Sequence, residues 1–237
     1  MITHTAVPFP RCIPSELFGS LGLTEHQLER VQKLIFVPRA VKKGEHLFGT
    51  GQSFRDIFAV RSGSFKSSLN AESGHDQVIG FHLPGDFLGL QGIATQRHAC
   101  EALALEDSEV CAMPFEHVEA LSRELPQVQR LFYQVMSSEI LRESHAIVML
   151  GSLRAEGRVA AFLLDLLDRL KARGFSENEM VLRMTREDIG SYLGLKIETV
   201  SRVLAKLSAS GLISVDNRHV RVLQRDGLAA LAKPQSL

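Results

Sequence analysis

The chain has 237 residues, 45% of them hydrophobic, and this length accommodates one large domain or two smaller ones. Its 27 basic and 27 acidic residues cancel, so net charge alone does not indicate a nucleic-acid partner. Three cysteines cannot pair evenly, which argues against a disulfide framework and favours reduced thiols. The nearest candidate for a membrane span, AAFLLDLL, is interrupted by Asp165, and no basic–apolar leader opens the chain. We therefore expect a cytoplasmic protein that does not engage a membrane.

The distribution of charge is more informative than the total. Between Arg183 and Arg225 the chain carries eight basic residues against four acidic ones, so the remainder is acidic by the same margin. A locally positive segment on a neutral chain is typical of an anion-binding module joined to another domain.

The sequence pattern changes at about residue 37, from a proline-containing segment and a predicted helix to short runs separated by glycines. Residues 1–24 contain three prolines and are expected to be irregular, and TEHQLERVQKLI then predicts a short helix with Thr24 as its N-cap. From about Val37 to Phe115, glycines recur between the short runs HLF, DIFAV, SFKSSL, QVIGFHL and EVCAMPF. Short strands separated by turn signals predict a β-sandwich or jelly roll, which we assign to residues 25–125.

A long helix is predicted for residues 126–150, a stretch without glycine that begins at Pro126. Six positions fall near one stripe at helical spacing: Phe132, Met136, Ile140, Glu143, Ile147 and Leu150. A small β domain cannot bury a stripe of this length, so a second copy of the helix is expected to cover it as a dimer seam. The alternative is a helix packed against its own sandwich. Glu143 within the stripe either points outward or weakens the dimer so that it stays responsive.

The last third, residues 151–237, reads as a small basic domain. Gly151 and Gly157 mark an expected hinge, and RVAAFLLDLLDRLKARG predicts an amphipathic helix closed by Gly174. The polar loop FSENEM then leads to VLRM, and LISVD, the turn NR and HVRVL predict a β-hairpin.

Between these elements, MTREDIGSYLGLKIETVSRVLAKLSASGLI predicts two short helices. Thr185 and Asp188 form a T-x-x-D capping box that starts the first, with Ile189, Tyr192 and Leu193 on its inner face. Gly194 allows the sharp turn that follows, and Ile197, Val200, Val203 or Leu204, and Leu207 supply the buried face of the second helix. Two helices joined by such a turn form a helix-turn-helix, whose second helix enters the major groove of DNA.

The groove-facing positions of that second helix are Lys196, Glu198, Thr199, Ser201, Arg202 and Ala205. Arginine can donate two hydrogen bonds to guanine, glutamate can accept from cytosine, and serine can serve either a base or a phosphate. The hairpin then acts as a wing that brings Arg218, His219 and Arg221 near the phosphates. The alternative is an ordinary helical hairpin in which Glu198 and Arg202 form a surface ion pair.

The stretch TREDIGSYLGLKIETVSRVLAKLSASGLI resembles the DNA-binding domain of the cAMP receptor protein/FNR (CRP/FNR) family of bacterial transcription regulators. KKGEHLF, AVRSGSFKS and QVIGFHLPGDFLG resemble the β-roll sensor domain of the same family, and the similarity runs from about Cys12 to the C-terminus. The resemblance implies an α+β fold: an N-terminal β-roll of the cyclic-nucleotide-binding type, a long dimerisation helix and a C-terminal winged helix-turn-helix.

The E-x-x-S-R pattern of Glu198, Ser201 and Arg202 is similar to the FNR (fumarate and nitrate reduction) branch. That similarity implies a homodimer that reads a palindrome with TTGAT-like half-sites, in which Arg202 reads the guanine, Glu198 the opposite strand and Ser201 the thymine side. Thr185 and Arg186 join the expected DNA-contact set, and RNA polymerase is the second implied partner. The implied activity is transcription regulation with an oxygen or redox response, and not enzymatic catalysis.

The resemblance raises the question of a cofactor. Leu90 stands where the cAMP-receptor branch has a ribose-binding glutamate, and Arg97 lies one place out of register with the phosphate clamp, which argues against a cyclic nucleotide. The oxygen-sensing branch uses four cysteines to hold a [4Fe–4S] cluster, and here only Cys12 and Cys111 match. We therefore do not expect a full cluster in this chain and treat Cys12 and Cys111 as candidate metal ligands only. Cys100 is expected to be a core residue.

Several alternatives remain open at this point. The regulator has lost the cluster, or it uses unusual ligands such as His4 or an aspartate, or further ligands lie upstream of residue 1. A cluster-free or haem- or nitric-oxide-responsive regulator of the same fold is one alternative function. A cupin-type metal enzyme is another, although His75, His82 and His98 lack the clustered spacing of cupin ligands.

Overall fold

The structure is a computed structural model that describes residues 23–27, 31, 37–70 and 76–233. The first 22 residues of the predicted irregular segment, which include His4 and Cys12, lie outside this range, as does His75. Thr24 begins a helical turn: its Oγ1 accepts a hydrogen bond from the Gln27 N–H at 3.3 Å, and Gln27 Oε1 accepts from the Thr24 N–H at 2.9 Å. This reciprocal pair agrees with the predicted N-cap at Thr24.

Two antiparallel sheets build the N-terminal half, with strand orders β1-β8-β3-β6 and β2-β7-β4-β5. The strands are β1 (Val37–Val41), β2 (His46–Phe48), β3 (Asp56–Ser62), β4 (Phe65–Asn70), β5 (Asp76–His82), β6 (Phe87–Leu88), β7 (Glu101–Ala104) and β8 (Ser108–Pro114). Five of the strands coincide with the runs that the sequence predicted. The core between the sheets includes Phe48, Phe58 and Phe65. Successive residues of β3 face opposite sides of its sheet, so Phe58 points into this core and Ile57 into a second core that α1 covers.

Helices follow the sandwich. Helix α1 (Phe115–Glu124) packs Val118 and Leu121 onto it, and helix α2 (Pro126–Ser152) begins at Pro126, whose missing N–H costs nothing at a first helical position. Helix α2 ends two residues beyond the predicted bound of 150.

The predicted hinge glycines are not where the chain breaks. Gly151 lies inside α2 and Gly157 inside α3 (Ala155–Lys171), and the break falls at Leu153 and Arg154, both in extended conformations. Gly157 serves close packing instead, because a Cβ there would lie 2.7 Å from the backbone oxygen of Leu231. Gly174 adopts φ +79° just after the C-cap of α3, Ala172, so it stops the chain from continuing as a helix.

The C-terminal module contains α3, β9 (Glu179–Val181), α4 (Arg186–Leu193), α5 (Ile197–Ala209), β10 (Ile213–Asp216), β11 (His219–Val222) and α6 (Arg225–Leu231). Its three strands form one antiparallel sheet in the order β10-β11-β9. The predicted helix pair and hairpin are therefore present, and α1 and α6 are additional elements. In the described part of the chain, no helix is long and apolar enough to span a bilayer.

The C-terminal core continues onto the β-roll. Val78, Phe81, Leu83 and Leu105 of the sandwich belong to the same cluster as the buried faces of α3, α4 and α5. The ring of Phe81 lies 5.8 Å from that of Phe162 and 5.3 Å from that of Tyr192. Apolar packing thus seats the C-terminal module on the outer face of β5.

Candidate nucleic-acid interface

Helix α4 starts with the predicted capping box. Thr185 Oγ1 accepts a hydrogen bond from the Asp188 N–H at 3.0 Å, and Asp188 Oδ2 accepts from the Thr185 N–H at 2.8 Å. Two N–H groups that the helix itself cannot satisfy are paired in this way, which fixes the start of the helix at Arg186.

Two glycines shape the turn between α4 and α5. Gly194 adopts φ +62°, the left-handed conformation that the sequence predicted for it. Gly190 has a different function, because a Cβ at this position would lie 2.6 Å from the carbonyl oxygen of Leu195. A side chain at residue 190 would therefore push the two helices apart.

Helix α5 divides cleanly into two faces. Val200, Val203, Leu204 and Leu207 are buried, and Lys196, Glu198, Ser201, Arg202 and Ala205 are exposed, with Thr199 half-buried. One prediction was wrong: Ile197, expected on the buried face, is 45% exposed, because it occupies the first helical position, ahead of the packed turns.

The predicted reading residues are free to meet a partner. In the described part of the chain, no ion pair joins Glu198 to Arg202, so the ordinary surface pair considered as an alternative is not formed. The nearby Lys206 is engaged differently, with its Nζ 2.5 Å from Glu156 Oε1 on α3. The exposed face of α5 consequently presents an acceptor, a hydroxyl and a guanidinium without competing contacts.

The wing agrees with the prediction only in part. Asn217 (φ +53°) forms the turn between β10 and β11, and its carbonyl accepts from Arg186 Nη2 at 3.2 Å, which fixes the wing to the start of α4. Arg218 is exposed at the tip. His219 and Arg221, expected near the phosphates, instead face Glu179 of β9, with Arg221 Nε 2.7 Å from Glu179 Oε1.

The β-roll does not offer the expected groups to a cyclic nucleotide. Leu90 begins a short 3₁₀ turn, Leu90–Ile93, at the position that would need a carboxylate, and Arg97 donates to the carbonyl of Gly51 at 2.8 Å. His98 stacks on Phe48 with ring centroids 3.9 Å apart, and burial lowers the pKa of His98, which favours a neutral ring. The groups present do not fit a ribose and a cyclic phosphate.

The donor set also fails to fit a four-thiolate cluster. The chain has three cysteines. Cys111 is fully buried on β8 and is disulfide-bonded, so the expectation of reduced thiols is wrong for this residue. Cys100 is a free cysteine, 2% exposed in the sandwich core, where burial raises the pKa of its thiol to about 11. A thiol with so high a pKa is a poor thiolate ligand. Among the described residues, no group of three or more histidine, cysteine, aspartate or glutamate side chains is placed to hold a metal ion.

Helix α2 carries an uncovered apolar face. Tyr133, Ile140 and Ile147 recur every seven residues and are 60–71% exposed, and Leu141 and Val148 beside them are similarly exposed. Phe132, one of the predicted seam residues, packs inward against Phe115 at 6.2 Å and shares the β-roll core. Met136 and Leu150 are half-buried and Glu143 is exposed. The exposed face is therefore rotated slightly from the predicted stripe.

Contacts between the β-roll and α4 were not predicted from the sequence. Lys66 Nζ lies 2.6 Å from Asp188 Oδ1, Ser191 Oγ accepts from the Val78 N–H at 2.9 Å, and Gln77 Nε2 donates to the Ser191 carbonyl. The helix-turn-helix is thus hydrogen-bonded to the edge strand β5 of the sensor sheet.

One arginine at the hinge was also missed. Arg158 donates to Leu150 O at 2.6 Å, to Leu153 O at 2.9 Å and to Leu193 O at 3.0 Å, so it satisfies carbonyls at the ends of α2 and α4 together. Neither the hydrogen bonds of Arg158 nor the contacts to β5 can be predicted from neighbouring residues in the sequence, because each depends on long-range packing.

This architecture, a β-roll, a long helix and a winged helix-turn-helix with an open reading face, defines a DNA-binding protein of the class that couples a sensor domain to transcription. Residues 38–124 match the model of the cyclic nucleotide-binding domain, and residues 157–231 match that of the Crp-like helix-turn-helix domain. Together they confirm the predicted fold class.

Full-length relatives agree with both matches. The transcriptional activator protein anr of Pseudomonas aeruginosa is 40% identical over 95% of this chain and 90% of its own length. The fumarate and nitrate reduction regulatory protein of Salmonella typhimurium is 40% identical over 93% of this chain and 88% of its own length. Among solved structures, FixK2 from Bradyrhizobium japonicum superposes with a TM-score of 0.79 at 30% identity, covering 86% of this chain and all of that one.

The chain belongs to the CRP/FNR family of transcription regulators, near its FNR branch. Its relatives are named as regulators and activators, and none of those compared above is an enzyme, which disfavours the cupin alternative.

Proposed function

We propose that this regulator acts in the cytoplasm as a homodimer that binds a palindromic promoter site with TTGAT-like half-sites. The observation that carries the proposal is the free, exposed set of Glu198, Ser201 and Arg202 on α5. These side chains supply the acceptor, hydroxyl and bidentate donor that base edges in the major groove require.

The remaining contacts position the reading helix on the duplex. Thr185 and Arg186 at the start of α4, Lys196 and Thr199 at the start of α5, and Arg218 at the wing tip are exposed or half-buried on adjoining elements. Helix N-termini and basic side chains are typical phosphate partners, so these residues bind the backbone without selecting sequence.

Dimerisation through α2 accounts for the uncovered apolar face. Ile140 and Ile147 lie one heptad apart on it and are strongly exposed, and a second α2 in parallel contact would bury them. We include Met136, Glu143 and Leu150 at the margin of the seam, and Phe132 at its inner edge. Two DNA-binding modules related by one two-fold axis then match a palindrome whose half-site centres lie about 34 Å apart.

Relatives named fumarate and nitrate reduction regulatory protein and transcriptional activator protein support a role in transcription regulation that responds to oxygen or redox state. RNA polymerase is the second partner that we propose. The sensor domain operates without a cyclic nucleotide and without a complete four-cysteine cluster within this chain. Cys12 and Cys111 remain the candidate redox or metal-binding residues.

Fluorescence anisotropy of the full chain on labelled duplexes tests the proposal. A TTGAT inverted repeat should bind more tightly than the same duplex with the TTGAT half-sites shuffled, by a factor of about 10³ or more for a specific site. Analytical ultracentrifugation should find two chains per duplex. Equal affinity for both duplexes, or one chain per duplex, contradicts the proposal.

A further inference from the structure

Three arginines, two in helices and one just beyond the end of a helix, converge on one buried carboxylate. Asp86, in the turn between β5 and β6, has a side chain only 10% exposed. Its Oδ2 lies 2.5 Å from Arg169 Nη2 and 3.4 Å from Arg142 Nη1, and its Oδ1 lies 2.5 Å from Arg173 Nη2. Arg142 belongs to α2, Arg169 belongs to α3, and Arg173 lies directly after Ala172, the C-cap of α3. A single carboxylate therefore joins the sensor domain, the connecting helix and the DNA-binding module.

The turn that carries Asp86 is held by the same side chains. Asp86 Oδ2 accepts from the Leu83 N–H at 2.7 Å, which closes the turn. Arg169 also donates to the Phe81 carbonyl at 2.7 Å, and Arg173 donates to the Pro84 carbonyl. Because each guanidinium contacts both the carboxylate and the backbone beside it, the α3 end of the cluster has a fixed geometry.

Electrostatics keep the carboxylate charged. Burial alone would raise the pKa of Asp86, but the nearby Arg169, Arg142 and Arg173 lower it to about 2. Without that carboxylate the three guanidinium groups would face each other in a poorly solvated space, and their repulsion would favour separation of α2 from α3.

Next to this cluster, α2 and α3 are separated by a cavity and are not closely packed. Beside Asp86, a cavity of about 430 Å³ lies among α2, α3 and Tyr192 of α4. Below it, Arg158 ties the ends of α2 and α4 together at the hinge. Arg142 is consequently the polar bridge that fixes the angle between the connecting helix and the DNA-binding module above the hinge.

We infer that Asp86 is a positioning residue for DNA binding, because it fixes the DNA-binding module relative to α2 and so sets the separation of the two reading helices in the dimer. The inference rests on the proposed dimeric recognition of a palindrome. In a dimer built on α2, any change in the angle between α2 and α3 moves the two copies of α5 apart or together. The reading face of each copy, which makes no contact with Asp86, keeps its base preference.

The test compares the full wild-type chain with Asp86→Asn, which keeps the side-chain shape and removes the charge. The probes are the TTGAT inverted repeat, the same repeat with its spacer shortened or lengthened by a base pair, and a duplex with one half-site. We expect Asp86→Asn to lose about tenfold in affinity for the best-spaced repeat, and to discriminate less between spacers. Binding to the single half-site should be unchanged, which a general loss of folding would not leave intact.

Asp165→Asn is the matched control, because Asp165 also pairs with Arg169, at 3.3 Å, but is 52% exposed and, within the described residues, makes no hydrogen bond or ion pair to α2. Its spacer preference should equal that of the wild type. If Asp86→Asn does not fold, Arg142→Gln removes the bridge to α2 together with the pairing of Arg142 and Glu139 inside α2. It leaves Asp86 paired with Arg169 and Arg173 and should flatten the spacer preference likewise.

Wild-type spacer preference in the folded Asp86→Asn and Arg142→Gln chains would overturn the inference, and so would an equal loss of affinity on the half-site and on the repeat. A wild-type chain that shows no preference for the repeat refutes the proposed function itself, so the two failures are distinguishable.

Discussion

Lys66 Nζ of β4 lies 2.6 Å from Asp188 Oδ1 of α4, across the boundary between the sensor domain and the helix-turn-helix. The other carboxylate oxygen of Asp188 accepts from the N–H and Oγ1 of Thr185 in the capping box. One side chain thus starts the first helix of the DNA-binding motif and ties that helix to the β-roll. Burial would raise the pKa of Asp188, but hydrogen bonds from Lys66 and Thr185 lower it.

Removing the two partners of this pair should have unequal effects. Lys66→Met breaks the ion pair and leaves the cap intact, so we expect the free energy of unfolding to fall by about 1–2 kcal/mol. Asp188→Ala removes the cap as well and should cost about 1 kcal/mol more. Urea unfolding followed by circular dichroism measures both. Equal losses in the two variants would contradict the dual function of Asp188.

Base readout should depend on α5 and not on the wing. Arg202→Ala should weaken binding to a TTGAT repeat by about 1–3 kcal/mol per half-site and relax selection at one base pair. Arg218→Ala, at the exposed wing tip, should weaken all sequences alike and reduce the dependence of affinity on salt. Titrations against single-base-pair variants of the site provide the comparison. Unchanged affinity and unchanged base preference in Arg202→Ala would refute the assignment of the reading residues.

The exposed face of α2 makes dimerisation sensitive to charge. Ile140 is 60% exposed and lies at the centre of the face, so Ile140→Glu should weaken both the dimer and DNA binding. Glu143 at its margin approaches its symmetry mate in the proposed dimer, and two like charges held close together oppose association. Glu143→Ala should therefore strengthen the dimer, and Glu143→Gln should act alike because it removes the charge and keeps the shape. Sedimentation velocity measures the association of each variant. If both Glu143 variants associate more weakly than the wild type, Glu143 does not lie close to its symmetry mate in the dimer.

Stability should fall as the pH drops below neutrality, chiefly because of the buried His82, and the lowered pKa of His98 adds a contribution of the same sign. His82 donates to or accepts from Ser67 Oγ at 2.9 Å, and burial, reinforced by Arg142, lowers its pKa to about 3. In the unfolded chain His82 takes up a proton near pH 6.5, whereas in the folded chain it stays neutral down to about pH 3. The contribution of neutral His82 to stability is therefore complete above pH 6.5 and is lost as the pH falls toward 3. Asp86 has a lowered pKa of about 2, so its contribution is present above about pH 4 and is lost only below that.

Thermal melts between pH 7 and 4.5 separate these two groups. His82→Gln should flatten the decline of the melting temperature over that range, and His145→Gln, on an exposed part of α2, should leave the decline unchanged. A decline in His82→Gln as steep as in the wild type would place the responsible proton on another group.

The local signals in the sequence predicted the elements that carry recognition. The T-x-x-D box and Gly194 define α4 and its turn, and short runs between turn-forming glycines define β3, β4 and β5, because each of these features is encoded within a few residues. Ile197 was assigned to the wrong face because the helical periodicity does not say where the packed turns begin.

The contacts that place the domains relative to one another were not predictable in this way. Asp86 meets Arg169 and Arg173 across 83 and 87 positions of the chain, and Lys66 meets Asp188 across 122 positions. In the sequence, Asp86 stands in LPGDF, a stretch associated with nucleotide binding, and nothing local marks it as a partner of arginines. His219 and Arg221 were expected near the phosphates because the sequence does not show that β11 pairs with β9. That pairing places both side chains beside Glu179.

The cysteines lead to a prediction about iron. A cubane cluster needs four strong ligands, and the chain as given has three cysteines, one of which, Cys100, is buried with a pKa raised to about 11. We therefore expect anaerobic reconstitution with iron and sulfide to leave well under about four irons per chain, with no oxygen-labile absorbance from thiolate–iron bonds. The same protein should still bind the TTGAT repeat, because the reading face of α5 is already open. Cys100→Ser, a substitution in the sandwich core, is the control for indirect effects on folding. About four irons per chain, lost in air and absent from Cys111→Ser but retained by Cys100→Ser, would contradict the prediction. That result would favour a cluster held by Cys12, Cys111 and two non-cysteine ligands and would restore oxygen sensing through iron.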